Sequence, residues 1–243
     1  MKPTVTLITC TKNRHKHLSR VVRFVLNQTY SGKIYHLIFN NATEKLRLNT
    51  NLSPEKFILV NNCRSYLTGN KYTNLGEIYN DAITHVPADT DIVNMMDDDD
   101  IYFPNHVEEG VKGLLESGKK AYKPQKSYYK RGKSTTILAE NVLEPSIFVR
   151  FEHIKKFGFS EETTAQHHKW INPLIQEGEI IVGKPGIPTY ICDWSGELPT
   201  FKTSGNPHDP NNFKNYETNT RDIGDGIVTP CSEKLAKYYY RLK

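Results

Sequence analysis

The sequence predicts an α/β domain built on a mainly parallel sheet, and three observations carry that prediction. Short β-branched runs alternate with amphipathic helical stripes through the first half of the chain. The first strand signal runs straight into a polar, basic loop, and a later one ends abruptly in Asp97-Asp98-Asp99-Asp100. Open sheets of this kind bind ligands outside the carboxyl ends of their strands, where both of these segments fall.

The elements follow in order. Residues 4–10 alternate threonine with Val, Leu and Ile and read as a buried strand. Leu18, Val21, Val22, Val25 and Leu26 then recur at helical spacing, with Lys16, Arg20 and Arg23 on other faces. Strands are expected at 34–39 and 57–60. Asn74 suits an N-cap with Glu77 as its capping-box partner, ahead of the stripe Leu75, Ile78, Tyr79, Ala82 and Ile83. A strand at 91–96 precedes the aspartates, and Pro104 suits the first turn of a helix carrying Val107, Val111, Leu114 and Leu115. Past residue 118 the alternation weakens, with shorter strands expected at 121–130, 135–138 and 146–149. Residues 204–229 are rich in Asn, Pro, Gly and Asp and read as a long loop or folded-over tail.

Composition narrows the class without choosing a function. The 243 residues carry 32 Lys plus Arg against 27 Asp plus Glu, a formal charge of +5, and 37% are hydrophobic. That length suits one domain with a tail, large enough to fold without disulfides. Cys10, Cys63, Cys192 and Cys231 lie far apart with no metal-ligand spacing, so reduced thiols and a cytoplasmic location are expected. No apolar run approaches the roughly 20 residues of a membrane span, and the start lacks the apolar core of a secretory signal.

The four aspartates are the strongest chemical signal. Adjacent carboxylates repel, so a cation is expected to offset the cost of gathering them, and Mg2+ or Mn2+ with a substrate phosphate is the natural candidate. A solvated acidic turn before a helix is the plainer reading.

Four features together resemble the nucleotide-sugar glycosyltransferases of family 2: the opening from Val5 to Arg14, Asn27-Gln28-Thr29-Tyr30 at a helix end, the acidic motif with Pro104 four places beyond Asp100, and Phe157-Gly158-Phe159 before an acidic pair. The resemblance spans about residues 3–182. It implies a GT-A fold, a Rossmann-like α/β/α sandwich over 1–203 with a C-terminal loop-rich extension at 204–243. Residues 1–118 would hold the donor and 119–203 the acceptor. The implied activity is metal-dependent transfer of a sugar from a nucleoside diphosphate, with UDP-sugars as the default, to an acceptor hydroxyl. Thr9, Thr11, Lys12 and Arg14 would line the donor, Asp99 would be the main metal ligand, and Asp97 or Asp98 would contact ribose or the metal.

Two departures from the family pattern stand out. Asn40-Asn41 replaces acidic residues at the end of the second strand, and Lys71 or Asn74 stands in for a basic residue facing the donor. About eleven residues before Gly178, the family's helix-ending glycine, the usual Asp base is replaced by His167, with His168 as the neighbouring candidate. With Thr164 as cap, His167 would face inward from a helix, and a neutral imidazole is a competent base near neutral pH. A core histidine is the alternative, and a retaining mechanism stays open.

Residues 119–133 interleave seven basic residues with three tyrosines and no acid, so Tyr128, Lys130 and Arg131 could border the acceptor. A glycan, a protein or a nucleic acid, including a hydroxylated DNA base, would then be the acceptor. A catalytically altered module binding nucleic acid or glycan is the competing class, and a nucleotidyltransferase is the rival enzyme. In the tail, His208 could add a metal ligand, and Trp194 could stack on a sugar or lie in the core.

Overall fold

The computed structural model describes residues 1–12, 14–47, 56–131, 135–140, 144–162, 165–183, 188–194 and 228–230, with side chains at all of these except 129–131, 135–140, 194 and 228–230. A seven-stranded sheet forms its centre, made of β1 (Val5–Thr11), β2 (Ile34–Asn40), β3 (Phe57–Asn61), β4 (Ile92–Met95), β6 (Ala121–Lys123), β9 (Phe148–Arg150) and β10 (Ile180–Val182). Their order is β10-β6-β9-β4-β1-β2-β3. β1 pairs in parallel with β2 and β4, as does β2 with β3 and β10 with β6, while β9 runs antiparallel between β4 and β6.

Strand alternation sorts the core into two layers. Val5, Leu7, Ile38 and Ile92 pack with α1 (His15–Leu26) and α3 (His106–Ser117) on one face. Ile8, Leu37, Phe39, Val93 and Met95 pack with α2 (Leu75–Ile83), α4 (Phe151–Phe157) and α5 (His168–Gln176) on the other. The expected α/β/α sandwich on a mainly parallel sheet is therefore present. The helix of Asn74 forms as expected, its Oδ1 accepting from Glu77 N at 2.9 Å, and Glu77 reaches back one residue further, to Thr73 N. Gly178 follows α5 with φ 65°, the left-handed conformation that stops a helix.

A second sheet departs from the expectation. It has the order β12-β8-β7-β11-β5 and comprises β5 (Ile101–Tyr102), β7 (Lys126–Arg131), β8 (Thr135–Glu140), β11 (Tyr190–Trp194) and β12 (Val228–Pro230). The single strand expected at 121–130 is in fact two, separated around Pro124, so that β6 joins the first sheet and β7 the second. Proline has no N–H for a ladder, which suits it to such a break. Residues 228–230, at the edge of the segment read as loop, pair with β8. Helix α3 begins at His106 rather than at Pro104, whose carbonyl accepts from Thr29 N at 2.8 Å. Among the described residues no helix is long and apolar enough to cross a membrane, and Cys10, Cys63 and Cys192 are free thiols.

Two fully buried histidines make the fold acid-sensitive. His36 meets Thr9 Oγ1 at 2.9 Å and His106 meets Thr189 Oγ1 at 2.9 Å, and among the described residues each has its second ring nitrogen buried without a partner. Burial pushes both imidazoles down to about 3. The unfolded chain takes up protons on them below about pH 6.5 while the folded chain does not, so stability is lost as pH falls from there toward 3. Unfolding free energies from urea titrations should begin to drop near pH 6, above the carboxylate range, by an amount on the order of several kcal/mol by pH 4. Replacement of either histidine by glutamine should shrink that early drop.

Candidate active site

The carboxyl ends of β1 and β4 meet at the four aspartates. β1 delivers Thr11, whose Oγ1 donates to Asp98 Oδ2 at 2.6 Å. Arg14, at the N-cap of α1, places Nη1 2.7 Å from Asp98 Oδ1 and Nη2 3.0 Å from Asp99 Oδ2. A guanidinium is a planar fork suited to spanning two carboxylates. Arg20, one and a half turns further along α1, donates from Nη2 to the Asp99 carbonyl at 2.7 Å and from Nη1 to Asp193 Oδ2 at 2.8 Å. The cation that the sequence demands is thus supplied in part by the protein's own arginines. His17 lies buried on the same helix, and burial together with the charges of Arg14 and Arg20 lowers its imidazole to about 4, so it adds no positive charge near neutrality.

β11 closes the site from the second sheet. Tyr190 donates its hydroxyl to Asp100 Oδ2, and Asp193 N donates to Asp100 Oδ1 at 2.9 Å. Asp98 and Asp100 therefore each have both carboxylate oxygens bonded within the protein. Asp97 is half-buried and accepts from Tyr79 of α2 at 3.2 Å, while Asp99 is 4% exposed. Carboxylate oxygens of Asp97, Asp99 and Asp100 lie within 4.8 Å of one another. These hard oxygen donors at that spacing fit Mg2+ or Mn2+.

Sequence periodicity had no means of finding Arg20, Tyr190 or Asp193, since Asp193 and Arg20 are 173 positions apart. Arg20→Gln should remove the ion pair that Arg20 makes with the buried Asp193 and cost roughly 2–4 kcal/mol in chemical denaturation.

The other candidates separate by placement. Thr9 is fully buried and ties β1 to β4, donating to Met96 O at 2.7 Å, so its hydroxyl is engaged beneath the aspartates. Asn40 is likewise buried, its Nδ2 donating to Glu44 O at 2.8 Å and Asn61 Oδ1 at 2.9 Å. Lys12 is exposed, and Asn74 serves as the α2 cap. Tyr128 leans on Phe103 with ring centroids 6.4 Å apart and packs against the core. Lys130 and Arg131 lie in β7, with side chains outside the described set, as is that of Trp194. His208 lies wholly outside the described residues.

The segment that leads to His167 docks on α2. Asn80 clamps Phe159 from both sides of its peptide, Oδ1 accepting from Phe159 N at 2.8 Å and Nδ2 donating to Phe159 O at 3.0 Å, and Tyr79 stacks on the Phe159 ring at 4.8 Å. Thr164 falls outside the described residues, and His167 sits at the N-cap position of α5, not inside the helix, because α5 begins at His168. Its side chain is 26% exposed, with Nδ1 2.9 Å from Glu144 Oε2. His168 is exposed, its ring edge-on to His167 at 4.8 Å. Asp97 and Glu144 both bear on Cys10 and Tyr79, adding to the effect of burial in raising those two groups well above their usual range. Tyr79 and Cys10 accordingly feel the charge of both the acidic cluster and the Glu144 that faces His167.

Comparison with solved structures places this fold among known proteins. TarS from S. aureus, residues 1–349 in complex with UDP, superposes with a TM-score of 0.59 at 12% identity over 78% of this chain and 60% of that one. The mannosyltransferase PcManGT from Pyrobaculum calidifontis, in complex with GDP-Man and Mn2+, gives 0.57 at 15% identity over 80% and 57% of the two chains. Glucosyl-3-phosphoglycerate synthase from Mycobacterium tuberculosis, in complex with phosphoglyceric acid, gives 0.52 at 14% identity over 76% and 73%. At such identities the likeness is one of fold, and this chain spans less than two thirds of the first two. No curated protein matches the sequence. The sequence profile of Glycosyl transferase family 2, however, matches residues 6–175, from the second residue of β1 to the last turn of α5. The stretch takes in every element that positions the aspartates and His167 except β11 and α5's final residue, and the chain belongs to Glycosyl transferase family 2.

Proposed function

We propose that the protein is a divalent-metal-dependent glycosyltransferase that moves a sugar from a nucleoside diphosphate donor to an acceptor hydroxyl, with UDP-sugars as the donor class. The observation that carries this reading is the gathering of Asp97, Asp99 and Asp100 just past the carboxyl end of β4, with carboxylate oxygens within 4.8 Å of one another. Thr11, Arg14, Tyr190 and the Asp193 amide hold Asp98 and Asp100 in place at that site. A cation bound there would offset the charge that develops on the departing diphosphate.

The chain's own residues supply the rest. Arg14 and Lys12 stand at the end of β1, where guanidinium and ammonium groups suit phosphate oxygens. His167 takes the proton of the acceptor hydroxyl, in an inverting transfer. Residues 1–118 hold the donor and 119–203 border the acceptor, which is a glycan, a protein or a nucleic acid. The TarS and PcManGT structures contain UDP and GDP-Man respectively, which sets the first donors to try.

The test is a thermal-shift and turnover screen of UDP-, GDP-, CMP- and dTDP-sugars with and without Mn2+. Metal-dependent stabilisation by one nucleotide, with slow release of its diphosphate, is the expected result. Release of pyrophosphate would point instead to nucleotidyl transfer, and silence with every donor would overturn the reading.

A further inference from the structure

Glu144 is a buried acid to which neither the metal nor the donor reading gives a role. It opens a single 3₁₀ turn, Glu144–Ser146, just ahead of β9, and its side chain is 8% exposed. Its Oε2 faces two groups from the segment entering α5: Gln166 Nε2 at 3.1 Å and His167 Nδ1 at 2.9 Å. The imidazole contact is short but not yet aligned as a hydrogen bond, and Glu144 Oε1 is buried without a partner among the described residues. A buried carboxylate left partly unsatisfied is costly unless a donor or a positive charge faces it. His167 is the ionisable group positioned to provide either.

We propose that Glu144 is the positioning residue for His167, its carboxylate holding the proton of the neutral ring on Nδ1 so that Nε2 carries the lone pair. This rests on His167 acting as the base of the proposed transfer. A carboxylate only accepts, and a neutral imidazole has one N–H, so a carboxylate at Nδ1 decides the tautomer. In the transfer, the acceptor O–H gives its proton to His167 Nε2 while the acceptor oxygen bonds to the anomeric carbon. The bond from that carbon to the diphosphate breaks, and its electron pair leaves with the nucleoside diphosphate. Glu144 faces the imidazolium so formed and remains ionised. A replacement of the family's aspartate by histidine is thus accompanied by a carboxylate set behind the histidine.

The other groups bearing on this pair are Gln166 and the exposed His168 from the same segment, Cys10 of β1 and Tyr79 of α2, and Asp97 beyond them. Cys10 and Tyr79 are pushed well above their usual range and stay neutral between pH 5 and 8.

The experiment is 15N NMR of the full chain labelled at histidine, titrated from pH 5 to 8 in wild type, Glu144→Gln and Glu144→Asp. Stabilisation by UDP with Mn2+ serves as the check that the donor site is intact. Expected are an Nδ1-protonated neutral ring in wild type, loss of that tautomer preference in Glu144→Gln and its recovery in Glu144→Asp. Hydrolysis of UDP-glucose should lose roughly 10- to 100-fold in kcat in Glu144→Gln with KM little changed. An Nε2-protonated ring in wild type overturns the proposal even if Glu144→Gln does not fold. So does an unchanged tautomer in Glu144→Gln. A His167→Gln variant that hydrolyses UDP-glucose at the wild-type rate would instead remove the base reading, and the NMR result would distinguish that failure from this one.

Discussion

Asp99→Asn is expected to abolish metal-dependent nucleotide binding and to lower turnover by about a thousandfold or more, while leaving the fold at least as stable as before. The two halves of that result have different causes. Asp99 contributes one of three carboxylates whose oxygens lie within 4.8 Å, and an amide is a far weaker ligand for a hard cation. Charge stabilisation of a departing diphosphate amounts to several kcal/mol, and each 1.4 kcal/mol or so is a factor of ten in rate. Removing a negative charge beside Asp97, Asp98 and Asp100 relieves repulsion, and the asparagine oxygen can still accept from Arg14 Nη2, which lies 3.0 Å from Asp99 Oδ2. Melting curves separate the effects. Without nucleotide the variant should melt at or above the wild-type temperature, and UDP with Mn2+ should raise only the wild type. A variant that melts lower without nucleotide would mean that Asp99 holds the fold rather than the donor.

The largest loss of stability is expected from Gly76→Ala. A methyl group on Gly76 would sit 1.6 Å from the Ser160 carbonyl oxygen, and Gly76 N already donates to Glu162 O at 3.0 Å. The obstacle is backbone on both sides, so no rotamer change relieves it, and the segment carrying Phe159 must lift from α2. A cost of about 3 kcal/mol or more is expected, near the upper range for overpacking. For a chain of this size that is roughly 6–12 °C in melting temperature. Gly178→Ala provides the contrast, because nothing lies within 4 Å of its added carbon and only the left-handed backbone at φ 65° resists it. That change should cost about 1–2 kcal/mol. Equal losses in the two variants would refute the packing argument. Because residues 158–162 lead directly to His167, Gly76→Ala should also depress turnover more than it weakens nucleotide binding.

Both predictions turn on contacts whose legibility in the sequence differs. The aspartates and their place at a strand end were readable because a run of like charge after an apolar strand is a local pattern. The Asn74–Glu77 cap, the α1 and α2 stripes and the glycine that ends α5 were readable for the same reason: capping and periodicity act over a few residues. The split of 121–130 into β6 and β7 was missed because both halves have strand character, and which sheet each joins depends on partners elsewhere. The engaged amide of Asn40 and the buried hydroxyl of Thr9 were missed because a polar residue at a strand end looks the same whether it meets a ligand or a neighbouring strand.

The sequence by itself determined the class of fold, the order of its helices and central strands, the family and the acidic end of β4. These follow from local patterning and from motif order along the chain. Tertiary structure alone decided which protein groups hold each aspartate, that Arg14 and Arg20 balance them, that β11 braces them from a second sheet, and that Glu144 lies against His167. Arg14 lies 85 positions from Asp99, Tyr190 lies 90 from Asp100, and Asp193 lies 173 from Arg20. Partners so distant are chosen by how the sheets pack, and electrostatic pairing over a few ångströms leaves no periodic trace in the chain that encodes it.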